Sequence, residues 1–178
     1  MERRSTPGLS KSMDLVAFLG GLCLFLSTIE YLIPKPIPFM RIGLANLPIL
    51  IGLELLSPLQ VLLLATLKVV GQGLVNGTLA SYSLLFSAVG SFGSAVAMLL
   101  AHRSMGRRIT RVGISVLGAL AGNVLQLLLA RLLLFGEGAW LIAPAFLALG
   151  TMASLLLGLF AERFCRASRW LASARARA

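Results

Sequence analysis

Long apolar runs, separated by short polar or basic segments, dominate the chain. A run of about 20 apolar residues is what a transmembrane helix needs. Six runs predict six helices. Five lie at about residues 15–33, 42–56, 79–101, 112–135 and 139–160, and the third in chain order begins at residue 58 and continues to the glycine-containing segment 71–78. The second run is short for a span, so it needs tilt or burial against its neighbours. The pattern therefore predicts an all-α integral membrane protein, a compact bundle of about six transmembrane helices.

Prolines, glycines and charges divide these runs. Three prolines lie within residues 34–38, three glycines within 71–78, and two more flank Glu137. Proline and glycine are typical of loops and turns, because proline has no backbone N–H to donate and glycine allows backbone conformations that other residues avoid. We predict a basic N-terminal segment at 1–13, a six-helix membrane domain at 14–160 and a basic tail at 161–178.

Composition supports the membrane class. The chain is 58% hydrophobic and only 12% charged, with a mean hydropathy of +0.93, whereas soluble domains carry roughly 25% charged residues. The net charge of +10 lies in short blocks between the apolar runs. Such blocks meet lipid headgroups and fix orientation, so the lipid bilayer, and not nucleic acid, is the predicted partner of this charge.

The basic residues also predict the orientation. Twelve of the 16 lie in the N-terminal segment, the loop at 102–111 and the tail. Six spans place these three segments on one side, and basic loops favour the cytoplasm. Both termini are therefore predicted to be cytoplasmic, and Trp140 is expected at the outer interface.

Polar residues inside the predicted spans are candidates for function, because burying them in a bilayer is costly. Most of them fall in the outer half, which predicts a pocket for a small polar or anionic ligand. The predicted substrate-binding residues are Glu30, Arg41, Asn46, Lys68, Gln72, Asn76, Asn123 and Gln126. In the alternative, these side chains reach the headgroups or join helices to one another. Glu54 lies near the inner end of its run and is expected either to cap a helix or to pair with inner arginines.

Small residues at four-residue spacing mark close helix contacts. Gly118 and Gly122, and the series from Gly150 to Gly158, are predicted to pack within the bundle. Ala17 and Gly21 form a similar face on the first helix, which is a candidate docking surface for a partner subunit.

The chain lacks the residues that common catalytic centres need. It has no Walker A motif, no Gly-x-Ser-x-Gly elbow, one histidine (His102) and one aspartate (Asp14). Its two cysteines, Cys23 and Cys165, are expected at different depths. Magnesium-dependent diphosphate chemistry needs clustered carboxylates. We therefore predict no catalytic residue, no metal site, no cofactor and no enzymatic activity of the chain alone.

Three segments resemble a known family of small bacterial membrane proteins. They read IEYLIP at 29–34, PIP at 36–38 and IGLANL at 42–47, and further similarity is found at 77–78, 83–87 and 113–126. The family is heptaprenyl diphosphate synthase component I, also called the Gx transporter family. The similarity covers about residues 15–157. This chain has Gly122 where the family often has histidine, and Leu125 where it often has glycine, so a role of that histidine does not carry over.

The resemblance implies two functions. The first is a substrate-binding subunit, similar to those of energy-coupling-factor transporters, that takes up a small cofactor or precursor with a coupling subunit and ATPases. Ala17 and Gly21 would then face the coupling subunit. The alternative is a non-catalytic membrane component of polyprenyl diphosphate or quinone biosynthesis, acting with a soluble prenyl synthase subunit. A purely structural subunit is a third reading. The predicted topology favours the first, in the cytoplasmic (inner) membrane of a bacterium.

Overall fold

The computed structural model describes residues 7–33 and 43–168, and these residues form helices and turns with no strand among them. Six α-helices carry the labels used below. They are α1 (Pro7–Leu32), α2 (Leu47–Gly52), α3 (Pro58–Val75), α4 (Tyr82–Met105), α5 (Arg111–Ala130) and α6 (Ala139–Ala167). Short turns of 3₁₀ helix lie at Leu44–Asn46, Gly106–Arg108 and Gly136–Gly138, and a π-helical turn at Arg131–Phe135 extends α5.

Four segments of the described chain are long and apolar enough to cross a membrane. They are Met13–Leu32, Pro58–Val75, Tyr82–Met105 and Arg111–Ala167, and the last contains both α5 and α6. Large apolar side chains lie on their outer surface, including Leu132 and Leu141, which are 79% and 90% exposed. Apolar surface on this scale is stable in lipid and not in water. The helices are therefore those of a membrane protein, as predicted.

The second predicted helix is much shorter than the apolar run at 42–56. α2 has six residues, a length of about 9 Å against a hydrocarbon core of about 30 Å. Two features limit it. Gly43, with φ +88°, precedes the 3₁₀ turn at Leu44–Asn46. Pro58 restricts the residue before it, and Ser57 caps α3 in a reciprocal pair with Gln60. The prediction of one continuous helix over about residues 42–56 is therefore wrong.

Burial explains how this irregular segment is tolerated. All six residues of α2 are buried. Non-helical backbone at membrane depth is stable only where protein surrounds it. The segment packs along α1 in the opposite direction: Gly43 contacts Glu30, Ala45 contacts Cys23, and a methyl group on Gly52 would lie 3.4 Å from Leu19 Cδ1.

α1 and α3 run parallel to each other. A methyl group on Gly20 would lie 3.4 Å from Leu67 Cδ1, and one on Gly71 would lie 2.2 Å from Leu24 Cδ2. Residues that advance along α1 thus contact residues that advance along α3. The segment between them must return the chain from the end of α1 to its beginning.

α4 and α5 pack antiparallel at close range. Gly118 lies against Met98, and a methyl group on Gly122 would lie only 2.7 Å from the carbonyl oxygen of Gly90. α6 then packs antiparallel on α5. Gly158 lies near Val112 at one end of this pair, and Gly150 lies near Asn123 further along. The glycines predicted to mark packing faces in α5 and α6 do occupy helix contacts, because a side chain there would separate the backbones.

Ion pairs lie at both ends of the bundle. Glu54, after α2, pairs with Arg111 at the start of α5, which confirms the pairing expected for Glu54. At the opposite end Arg131 pairs with Glu137, and its guanidinium lies 5.5 Å from the ring centroid of Trp140. These contacts join the helix ends on each side.

Candidate functional site

A buried lysine lies at the centre of the polar interior. Lys68, on α3, is only 4% exposed. Its Nζ donates a hydrogen bond to Asn46 Oδ1 at 2.6 Å, and Asn46 Nδ2 donates to Ser94 Oγ on α4 at 3.4 Å. Because an ammonium group buried without partners is very costly, this chain of contacts stabilises it. It also joins α3 and α4 to the irregular segment before α2.

Glu30 holds the same segment from the other side. Its carboxylate is buried in α1 and accepts a hydrogen bond from the backbone N–H of Gly43 at 3.1 Å. About two turns earlier in α1, Cys23 Sγ donates to the carbonyl oxygen of Ala45 at 3.4 Å. These side chains satisfy backbone groups that no regular helix pairs.

A small polar cavity lies between these groups and α4, α5 and α6. Its volume is about 30 Å³, which is room for about two water molecules. A site for a vitamin-sized ligand needs roughly 300 Å³ or more. Five predicted site residues line the cavity, with seven residues that were not predicted: Glu30, Asn46, Lys68, Asn123 and Gln126, then Gly43, Gly90, Ser91, Ser94, Ala119, Gly122 and Gly150.

Gln126 gives the cavity an acceptor. Its Nε2 donates to the carbonyl oxygen of Phe86 at 3.0 Å, while its Oε1 is buried and has no hydrogen-bond partner among the residues that the structure describes. Buried polar atoms without a partner are rare. A water-sized donor fits the cavity that Gln126 lines, so the site is suited to holding a small hydrogen-bonding species beside Lys68.

The remaining predicted residues lie elsewhere. Gln72 is buried and its Oε1 accepts a hydrogen bond from Ser87 Oγ at 3.3 Å, but it does not line the cavity. Asn76 is half-buried and directly follows α3 as its C-terminal capping residue. Arg41 lies outside the described residues. Ala17 and Gly21 are exposed on α1, as a docking surface requires, and their role stays a prediction.

Sequence reasoning missed the contribution of α4. Ser91 and Ser94 line the cavity, and Ser87 binds Gln72 nearby. The signal was present, because small residues at 87, 90, 91 and 94 recur at the helical spacing of three and four. Among residues 7–33 and 43–168, no group of three or more histidine, cysteine or acidic side chains is placed to hold a metal ion.

Span-length apolar helices around a small polar interior define the class, a helical membrane protein. The family model described as heptaprenyl diphosphate synthase component I matches residues 19–164. Since the match covers most of the chain, the protein belongs to this family, as the sequence motifs predicted. No curated protein and no solved structure matches the chain.

Proposed function

We propose that this chain is a non-catalytic membrane component of heptaprenyl diphosphate synthesis. The observation that carries the proposal is the family match across residues 19–164. The family description speaks of a component, which implies at least one further subunit. In this proposal, the further subunit is catalytic and the present chain provides the attachment to the bilayer.

The carboxylates of the chain support a non-catalytic role. It has one aspartate, Asp14, and four of its glutamates are engaged with the chain's own donors. Glu30 binds the Gly43 backbone, while Glu54, Glu137 and Glu162 each pair with an arginine. Magnesium ions that hold diphosphates need free, clustered carboxylates. A partner subunit with such a cluster would supply the metal site.

The transport interpretation receives no comparable support. The family description mentions neither a coupling subunit nor an ATPase. The polar cavity, at about 30 Å³, is also roughly a tenth of the volume that small-molecule sites occupy. We therefore place the biosynthetic alternative ahead of uptake.

We further propose six crossings of the bacterial inner membrane, with both termini in the cytoplasm. The helix directions support this count: α1 and α3 are parallel, and the segment between them runs the opposite way. This segment would be the second crossing, buried and irregular. α4, α5 and α6 then alternate. The basic residues at 103–111 and 163–177 would face the cytoplasm.

Reconstituted synthesis tests the function. The full chain, tagged and purified from its native membranes in mild detergent, is assayed with and without its co-purifying subunits. The substrates are a short allylic prenyl diphosphate, isopentenyl diphosphate and Mg²⁺. The proposal expects long-chain prenyl diphosphate from the complex and none from the chain alone. Membranes that lack this chain should lose the membrane-bound activity and regain it when the chain is restored.

Two outcomes would overturn the proposal. Product from the purified chain alone would make it a catalyst. Unchanged membrane-bound activity in its absence would remove it from the pathway, and a water-soluble vitamin released from the purified chain would then restore the transport interpretation.

A further inference from the structure

The polar cavity lies deep within the membrane-spanning bundle. Ser94 lines it and lies in the middle of the 24-residue helix α4, about 17 Å from either end of that helix. Lipid offers no hydrogen-bond partner at such a depth. Every polar group around the cavity therefore has to be paired by the protein itself or by a molecule that the protein binds.

Two glycines beside α5 leave room for amide side chains at this depth. A methyl group on Gly90 of α4 would lie 2.1 Å from Gln126 Nε2, and one on Gly150 of α6 would lie 2.0 Å from Asn123 Nδ2. A side chain at either glycine would displace the amide. Gln126 and Asn123 are only 3% and 7% exposed. The packing of three helices thus accommodates two buried amides at the cavity wall.

The amide oxygen of Gln126 calls for a donor from outside the described chain. Its Oε1 has no hydrogen-bond partner among the described residues, and an acceptor buried in this way lowers stability. The cavity beside it, at about 30 Å³, exceeds the roughly 10–15 Å³ that a water molecule needs. A bound water also needs further polar partners, and the buried hydroxyl groups of Ser91 and Ser94 line the same cavity.

The charges around the cavity favour a neutral molecule. Among the described residues that line it, Glu30 carries a negative charge and Lys68 a positive charge, so the two cancel. A metal cation would lie beside the ammonium group of Lys68, and an anion beside the carboxylate of Glu30. Like charges repel strongly where the dielectric constant is low. A molecule that is uncharged and both donates and accepts hydrogen bonds meets neither repulsion.

We infer that this cavity binds water in the middle of the membrane, and that a bound water molecule donates a hydrogen bond to Gln126 Oε1. The same water can exchange hydrogen bonds with the serine hydroxyl groups of α4, so it completes the polar contact between α4 and α5. Water bound in this way is a part of the folded protein. The inference does not depend on the proposed function.

Magnetisation transfer from water, measured by NMR, tests the site directly. The full chain in deuterated dodecyl maltoside micelles carries ¹⁵N in the side-chain amides of its three glutamines, Gln60, Gln72 and Gln126. Gln72→Met and Gln126→Met assign the signals. Gln72 is the matched control, because it is also buried and also has a serine hydroxyl partner, but it does not line the cavity. We expect a dipolar cross-peak from water to the Gln126 amide and a much weaker one to Gln72.

Two results of this measurement would overturn the proposal. A cross-peak that is absent at Gln126, or only as strong as that at Gln72, would mean that the cavity binds no water. A shift of the Gln126 signal when bromide replaces chloride, or rubidium replaces sodium, would make the cavity an ion site.

Filling the cavity gives an independent test. Ala119→Val adds methyl groups to the cavity wall and should expel the water, whereas Ala121→Val adds them on the same helix at an apolar surface depression. We expect Ala119→Val to be the less stable by about 5–150-fold in the unfolding equilibrium, because Gln126 Oε1 loses its donor. The difference should shrink when both substitutions are combined with Gln126→Met, which has no acceptor to leave unpaired. An equal difference in both backgrounds would be a packing effect alone and would contradict the proposal.

Discussion

The close contact between α4 and α5 predicts a specific cost for one methyl group. Gly122→Ala would place a Cβ atom 2.7 Å from the carbonyl oxygen of Gly90 and 3.3 Å from Ser94 Cβ. The first neighbour is backbone, so it cannot rotate away, and α4 and α5 would have to separate. Overpacking of this kind costs about 1–3 kcal/mol.

A matched control isolates this cost. Alanine in place of glycine also favours the helix by about 1 kcal/mol, and this gain would hide part of the clash. Gly21→Ala provides the same gain on α1, where no other atom lies within 4 Å of the new methyl group. We therefore expect Gly122→Ala to be less stable than Gly21→Ala by about 1–3 kcal/mol, or about 5–150-fold in the unfolding equilibrium.

The assay is unfolding of the purified chain in mixed micelles of dodecyl maltoside and dodecyl sulfate. A brief protease pulse cleaves the unfolded fraction, and the surviving band measures the folded fraction. Equal midpoints for the two variants would refute the reasoning, because the backbone contact between α4 and α5 could not then be as close as the structure has it.

Three further predictions concern charges and surfaces. Lys68→Met should destabilise the bundle by about 1–3 kcal/mol in the same assay, since Asn46 loses its donor; a change near zero would argue against this contact. Glu54→Gln breaks the partly exposed pair with Arg111 and should cost no more than about 1 kcal/mol, less at high salt; a larger loss would mean a tighter pair. Gly21→Phe should lower the prenyl diphosphate synthesis activity that co-purifies with the chain, without changing the unfolding midpoint of the isolated chain. Unchanged co-purifying activity would place the docking surface elsewhere.

Part of the polar site can be predicted from the sequence. Glu30, Asn46, Lys68, Asn123 and Gln126 were selected because polar side chains are costly within apolar runs, and all five line one cavity. Gln72 was selected by the same rule and lies outside the lining. A polar residue within an apolar run is predicted to be buried, but the group that forms its hydrogen bond belongs to another helix. That information is absent from any single run of sequence.

The sequence by itself determined the class, the family and most helices, because a bilayer requires long apolar helices whose length and flanking charges are local properties. The tertiary structure decided the rest. The run at 42–56 looked like a fifteen-residue helix, yet contacts with Glu30, Cys23 and Leu19 stabilise it as a short buried helix beside an irregular turn. The close approach of α4 and α5 likewise depends on Gly118 and Gly122, each of which faces a particular residue of the other helix. Each feature depends on which surfaces meet, and that is decided by packing between distant segments.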